Sequence, residues 1–237
     1  MKKYHSLLFL LFSSTALMGC FWFSQYRNNQ KTSLEVKVDY TAKPRFLNDS
    51  VVNKLLTQNL NNQSGLLKDS LDLNMLENQI NNTPEVENVE IFIQPKGELS
   101  LLITERKPLF KVATETMYFS DVHGVLFSYK EIDSTPYPVF NSTSSTLSLK
   151  TTASLIQNLK EDPFMDRELI SVSLKENQYE LKLKSFDFQV IFGTPTSVEN
   201  KIQKLKIFCT FQRVQDSLKG YQKINLSYDN QVVATTS

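Results

Sequence analysis

The sequence predicts an α+β fold class: an N-terminal transmembrane helix, a compact β-α-α-β-β module, and a C-terminal mixed β domain with flanking helices. Three observations predict it. Two lysines precede an uncharged apolar run at the N-terminus. Apolar spacing then moves from period two to helical and back within residues 34–107. Beyond Pro108 short alternating segments dominate, with two amphipathic helical stretches between them.

The apolar run is the first element. Lys2 and Lys3 precede Leu7-Leu8-Phe9-Leu10-Leu11-Phe12, which continues through Ala16 and Leu17 to Phe23. At the helical rise, residues 7–23 span roughly 25 Å, the short end of what crosses a hydrocarbon core. Two lysines before the run, against Arg27 after it, favour a cytoplasmic N-terminus with the rest outside. Residues 1–6 are then a tail, 7–24 the anchor and 25–33 a polar linker. Two other readings stay open. Leu17-Met18-Gly19-Cys20 fits a lipobox, in which Cys20 is acylated and becomes the mature N-terminus. A cleaved signal peptide ranks last, because Phe21-Trp22-Phe23 prolong the run where small residues should end it. In the anchor reading those aromatics form the outer interfacial belt.

In residues 34–107, Leu34, Val36 and Val38 alternate with Glu35, Lys37 and Asp39, as in a half-buried strand, and Pro44 breaks it. Asn48-Asp49-Ser50 supplies capping side chains ahead of Val51, Val52, Leu55, Leu56 and Leu60 at helical spacing. Asn59 to Gln63 reads as a loop. A second helix starts at Asp72, carries Leu73, Leu76 and Ile80 on one face, and stops at Thr83-Pro84. Val89/Ile91/Ile93 and Leu99/Leu101/Ile103 then form a hairpin around Pro95-Lys96-Gly97.

From residue 108 the strands are short: Leu109–Ala113, Met117–Phe119 and Val125–Tyr129, the last two separated by a turn at Asp121-Val122-His123-Gly124. Thr135-Pro136-Tyr137-Pro138 reads as a connector. A helix with Ala153, Leu155, Ile156 and Leu159 ends before Asp162-Pro163. A β-meander follows, with Ile170/Val172/Leu174, Tyr179/Leu181/Leu183 and Phe186/Phe188/Val190/Phe192 facing inward, closed by Gly193. Thr196-Ser197-Val198-Glu199 reads as a capping box, Thr196 being the cap. The helix it opens carries Val198, Ile202, Leu205 and Cys209 on one stripe and ends at Gly220, and Tyr221 to Val233 is one final strand.

Composition narrows the function. Of 237 residues, 41% are hydrophobic and 11% aromatic, which supports real cores and one or two domains. Lys+Arg number 26 against 25 Asp+Glu, and the first thirty residues hold Lys2, Lys3 and Arg27 with no acid. That balance argues against nucleic-acid binding, which needs a basic surface. Cys20 and Cys209 belong to no C-x-x-C pair or Cys/His cluster, so no metal site is expected, and Cys209 is expected in a buried spot. His5 lies in the targeting segment and His123 in a tight corner allowed by Gly124. Six glycines build no phosphate loop, and the carboxylates are scattered singly. Lys201, Lys204 and Lys206 read as a solvated helix face. No catalytic residue, cofactor or small-molecule substrate is expected.

The β-α-α-β-β order of 34–107 resembles a POTRA domain, a module of bacterial envelope proteins. Thr83-Pro84-Glu85-Val86-Glu87-Asn88-Val89-Glu90-Ile91, followed by Leu99 to Glu105-Arg106-Lys107-Pro108, resembles the second half of that domain in the FtsQ/DivIB cell-division family. Tyr118-Phe119-Ser120-Asp121 with Gly124-Val125-Leu126-Phe127 is similar to that family's lead into its β domain (108–237). Ile191-Phe192-Gly193 before a long helix, then Tyr221 to Val233, resembles its C-terminal end. The resemblance implies a non-enzymatic inner-membrane protein, single-pass, N-terminus cytoplasmic and bulk periplasmic. It implies a septal scaffold that recruits and links other division proteins, among them small single-pass partners of the FtsB/FtsL type. In that family the C-terminal end receives the partner's strand, and the matching positions are Tyr228, Asp229, Asn230, Gln231, Val232 and Val233. The Asp229-Asn230 step is expected to kink the last strand and leave Gln231–Val233 as a docking edge. Asn225 and Ser227 stand where the family often has Asp and a basic residue. The alternatives are an envelope lipoprotein lipidated at Cys20, and an envelope hydrolase with paired carboxylates.

Overall fold

The computed structural model describes residues 2–28, 36–48, 50, 52–54, 56, 57, 72–94, 98–128, 135–142, 148–214, 220–229 and 231–236. Leu34, Asp49, Val51, Leu55, Leu60, the 59–63 loop, the 95–97 turn, Tyr129 and Asn230 lie outside them. Helix α1 (Lys2–Asn28) contains Leu8–Tyr26, which is long and apolar enough to cross a membrane and fits a single-pass membrane protein. Within it, the Ser13 hydroxyl donates to the Leu10 carbonyl at 3.0 Å and the Thr15 hydroxyl to Phe12 at 2.9 Å. These bonds satisfy the polar side chains inside the helix, as an apolar surround requires.

Contacts divide the chain into two compact units. One holds residues 1–41, 49–80 and 89–103; the other holds 42–48, 81–88 and 104–237. β1 (Val36–Tyr40), β2 (Val86–Ile93) and β3 (Leu99–Glu105) form a three-stranded sheet in the order β1-β3-β2, of which residues 36–40, 89–93 and 99–103 lie in the first unit. β1 runs parallel to β3, with Val36 opposite Leu99 and Tyr40 opposite Ile103. A parallel pair needs a crossover, which here passes through helical residues 52–54 and 56–57 and helix α2 (Leu73–Asn81). Val52, Leu56, Leu76 and Ile80 are buried, as their spacing predicts. Asp72 caps α2 by accepting the Met75 amide at 3.0 Å. In β2 the exposed pair Glu87-Asn88 resets the alternation, so Val86 is buried along with Val89 and Ile91.

The second unit is built on a nine-stranded sheet. Its strands are β4 (Phe110–Ala113), β5 (Met117–Ser120), β6 (Leu126–Ser128), β7 (Val139–Ser142), β8 (Leu169–Lys175), β9 (Gln178–Leu183), β10 (Gln189–Gly193), β11 (Tyr221–Asn225) and β12 (Val233–Thr236). They lie in the order β12-β11-β10-β9-β8-β7-β4-β5-β6. The β4/β7, β7/β8 and β10/β11 pairs are parallel. Helices α3 (Leu149–Glu161) and α4 (Pro163–Glu168) form the crossover from β7 to β8, and α5 (Val198–Val214) the crossover from β10 to β11. Ala153, Leu155, Ile156 and Leu159 of α3 and Ile202, Leu205 and Cys209 of α5 join the inward side chains of the strands in one core.

Two adjacent residues at the end of β3 tie short segments into this unit. The Glu105 carboxylate accepts the backbone N–H groups of Arg45, Phe46 and Leu47 at 2.6–2.7 Å. The Arg106 guanidinium donates to the carbonyls of Pro84 and Val86, both at 2.8 Å, and pairs with Asp121. Asp121, 2% exposed, also accepts the His123 and Val125 amides at 3.0 and 2.7 Å, which folds the β5–β6 turn with His123 at its exposed corner. Phe46 packs edge-on against Phe119 and Phe127, with Tyr137 completing the cluster.

Several sequence expectations are corrected. The 135–138 connector leads into β7, a strand too short and polar to read. Pro163 opens α4 rather than only closing α3, because Asp162 accepts the Phe164 and Met165 amides at 2.9 and 3.2 Å. Ile170 faces out at the irregularity in the β8/β9 register between Leu169 and Ser171, and Leu169 is buried in its place. Phe186 and Phe188 are buried, but the strand after them starts at Gln189. α5 begins one residue later than the capping box predicts: Ser197, at φ 51°, precedes Val198, and its carbonyl accepts the Lys201 amide at 3.1 Å. α5 runs to Val214, and 215–219 lie outside the described residues. The single strand expected over Tyr221–Val233 is two strands, as shown next.

Candidate partner-docking edge

β11 is short because its ladders end. It pairs with β10 in parallel from Gln189↔Lys223 to Ile191↔Asn225, and the Leu226 amide then donates to the Ile191 carbonyl at 2.8 Å. Ile224 and Leu226 point into the core. After Leu226 the chain leaves the sheet, and the Ser227 amide donates to Asn225 Oδ1 at 2.8 Å, closing an Asx turn. It returns as β12, antiparallel to β11, with Asn225 opposite Val233 and Tyr221 opposite Thr236. Among the described residues, β12 is the last strand of the sheet and has one strand neighbour. Its outer side presents the unpaired backbone groups of an edge.

The six predicted positions fall on this return. Tyr228 is 49% exposed and Val233, the first residue of β12, 38%. Asp229 and Gln231 are exposed, Val232 packs against the core, and Asn230 lies outside the described residues. Of the described positions, Tyr228, Asp229, Gln231 and Val232 lie in the connection at the edge end of the sheet, and Val233 is in the strand. Thr235 and Thr236, exposed on β12, were missed. A short stretch of valine, alanine and threonine carries no alternation that would have revealed it.

Three lysines stand on α5, Lys201, Lys204 and Lys206, and they are not a free solvated face. Lys201 is 5% exposed; its Nζ donates to the Thr194 carbonyl at 2.7 Å and sits 4.9 Å from the centre of the Phe192 ring. Burial lowers the Lys201 pKa, the Lys204 charge adds to that, and the Asp229 carboxylate opposes both. Lys204 Nζ donates to the Tyr228 carbonyl at 2.7 Å and to the Asp229 carbonyl at 3.2 Å. Lys206 Nζ donates to Asp162 Oδ2 at 2.9 Å, fastening α5 to the α3–α4 junction. Sequence spacing places all three on the polar side of the helix; only the fold supplies their acceptors.

Gly193, at φ 76°, ends β10 directly beneath the connection. A Cβ added there would lie 2.5 Å from Ser227 Oγ. Glycine therefore serves both the backbone conformation and the close approach.

Among the described residues, no group of three or more His, Cys, Asp or Glu could hold a metal ion. Cys209, buried in the core, has its thiol pushed up to about 12 by burial.

Residues 107–235, more than half of the chain, match the family described as FtsQ/DivIB, C-terminal related. No curated protein sequence matches the chain.

Proposed function

Because the chain belongs to the FtsQ/DivIB, C-terminal related family, whose relatives are non-enzymatic cell-division proteins, we propose that it is a bacterial division scaffold. In this reading α1 anchors it in the inner membrane with the N-terminus cytoplasmic. The rest is periplasmic, divided into a POTRA-like domain (34–107) and a β domain (108–237). The three-stranded sheet, with β1 parallel to β3 across a helical crossover, supports the POTRA-like assignment. The scaffold recruits small single-pass division proteins of the FtsB/FtsL type to the septum, with no cofactor and no small-molecule substrate.

The observation that carries the docking reading is the position of β12 at the sheet edge. A partner segment adding as a tenth strand would take its backbone hydrogen bonds from β12, with Tyr228 and Val233 offering apolar contact beside it. The test is co-purification of FtsB- and FtsL-type proteins with the tagged full-length chain, compared with a chain lacking residues 233–237. Loss of both partners, with the melting temperature of the remaining sheet kept, is expected. Capture at wild-type yield by the shortened chain would end the docking reading.

A further inference from the structure

We propose that Lys204 is the positioning residue of the edge strand: by holding the Tyr228 and Asp229 carbonyls, it sets where β12 returns along β11. The functional weight of this rests on the docking reading above, but the geometry does not. β12 has little else to hold it. It is four residues long, has one strand neighbour among the described residues, and presents only Ala234 as a half-buried side chain. Val232, just before it, adds one more apolar group against the core.

So little burial selects a register weakly. A slip by one residue exchanges the faces of a strand, and Val-Ala-Thr-Thr has no strong apolar alternation to resist it. The β11/β12 ladder already carries an irregularity between Tyr221 and Lys223. What limits slippage is the path of the connection. Its start is pinned by the Leu226 amide on Ile191 and by the Asn225–Ser227 turn. Its middle is held by the Lys204 ammonium on two consecutive carbonyls, a charge-assisted contact of the stronger kind. The helix that carries the clamp is seated in the core, because the next residue along α5, Leu205, is buried there, as is Cys209 one turn on.

Hydrogen exchange of the full-length chain in detergent micelles, read by mass spectrometry on peptides covering 226–237, tests this. Lys204→Met keeps the aliphatic stem and removes the donor. Amides of 233–236 are expected to exchange about tenfold faster, with peptides from β8 to β10 unchanged. Lys204→Arg, which can still donate to two carbonyls, is expected to restore wild-type protection. Unchanged protection of 233–236 in Lys204→Met overturns the proposal. So does a uniform loss of protection across the sheet, which would make Lys204 a general stabiliser. No partner enters this readout. If the chain lacking 233–237 still captures its partners, the docking reading falls while the exchange result still decides the role of Lys204.

Discussion

Lys201 shows how a charge survives in a nearly buried place: its three-donor head finds a carbonyl, an aromatic face and, at longer range, the Asp229 carboxylate. Two glycines beside such packed spots differ in what surrounds them. At Gly193 an added methyl meets a serine hydroxyl that can rotate away and the Ser227 Cβ at 3.1 Å, which must shift by a few tenths of an ångström, so Gly193→Ala costs its positive φ, about 1–2 kcal/mol, plus that small displacement. At Gly124, φ 80°, the methyl would lie 2.7 Å from the backbone of Leu149 and Lys150, which cannot give way cheaply. Gly124→Ala is therefore expected to cost more, about 3 kcal/mol or above, as overpacking adds to the strained φ. Urea unfolding of the two variants checks the order; equal losses would show that the 2.7 Å approach is relieved. For Cys209, burial keeps the thiol protonated. Alkylation at pH 8 is expected to be negligible in the native protein and rapid in denaturant.

At the scale of elements, the α3–α4 junction concentrates several roles in Asp162. It ends α3, caps α4 through two amides, and receives Lys206 from α5. Burial pushes its carboxyl up, but the Lys206 hydrogen bond and the Met165 and Phe164 amides outweigh that and hold it below its ordinary value. A carboxyl depressed in the folded state stabilises the fold above its unfolded pKa, about 3.9, and that contribution is lost as pH falls through the lower folded value. Lys206→Met should raise the folded value. The gap to the unfolded value then narrows, Asp162 contributes less stability, and the acid-unfolding midpoint moves up relative to wild type. An unmoved midpoint would show that the two amides alone hold the carboxylate. Asp162→Ala removes cap and ion pair together and is expected to cost about 1–2 kcal/mol at neutral pH.

For the molecule as a whole, the nine-stranded unit takes in two short segments from earlier in the chain, 42–48 and 81–88. Phe46 covers Phe119 and Phe127, while Glu105 and Arg106 bind the backbone of residues 45–47, 84 and 86. Starting the chain at 108 removes those segments and Arg106 with them, which exposes two large rings and leaves Asp121 without its guanidinium partner. A fragment spanning 108–237 is therefore expected to melt at a lower temperature, and less cooperatively, than one spanning 42–237. Circular dichroism melts of the two would show it, and coincident curves would mean that the segments add nothing to the sheet.

The sequence by itself determined the long apolar N-terminal helix, both strands of the β2–β3 pair, the buried stripes of α2, α3 and α5, and the family. Each is written in local periodicity or in motif order, which short windows of the chain contain in full. Only the tertiary structure decided that the last segment is two strands, that β12 is the edge, and that Lys201, Lys204 and Lys206 are tied to backbone and carboxylate acceptors. Sheet neighbours, and the partners of long side chains, are set by contacts between residues far apart in the chain. The spacing of one segment shows which side it buries, but not what lies across from it.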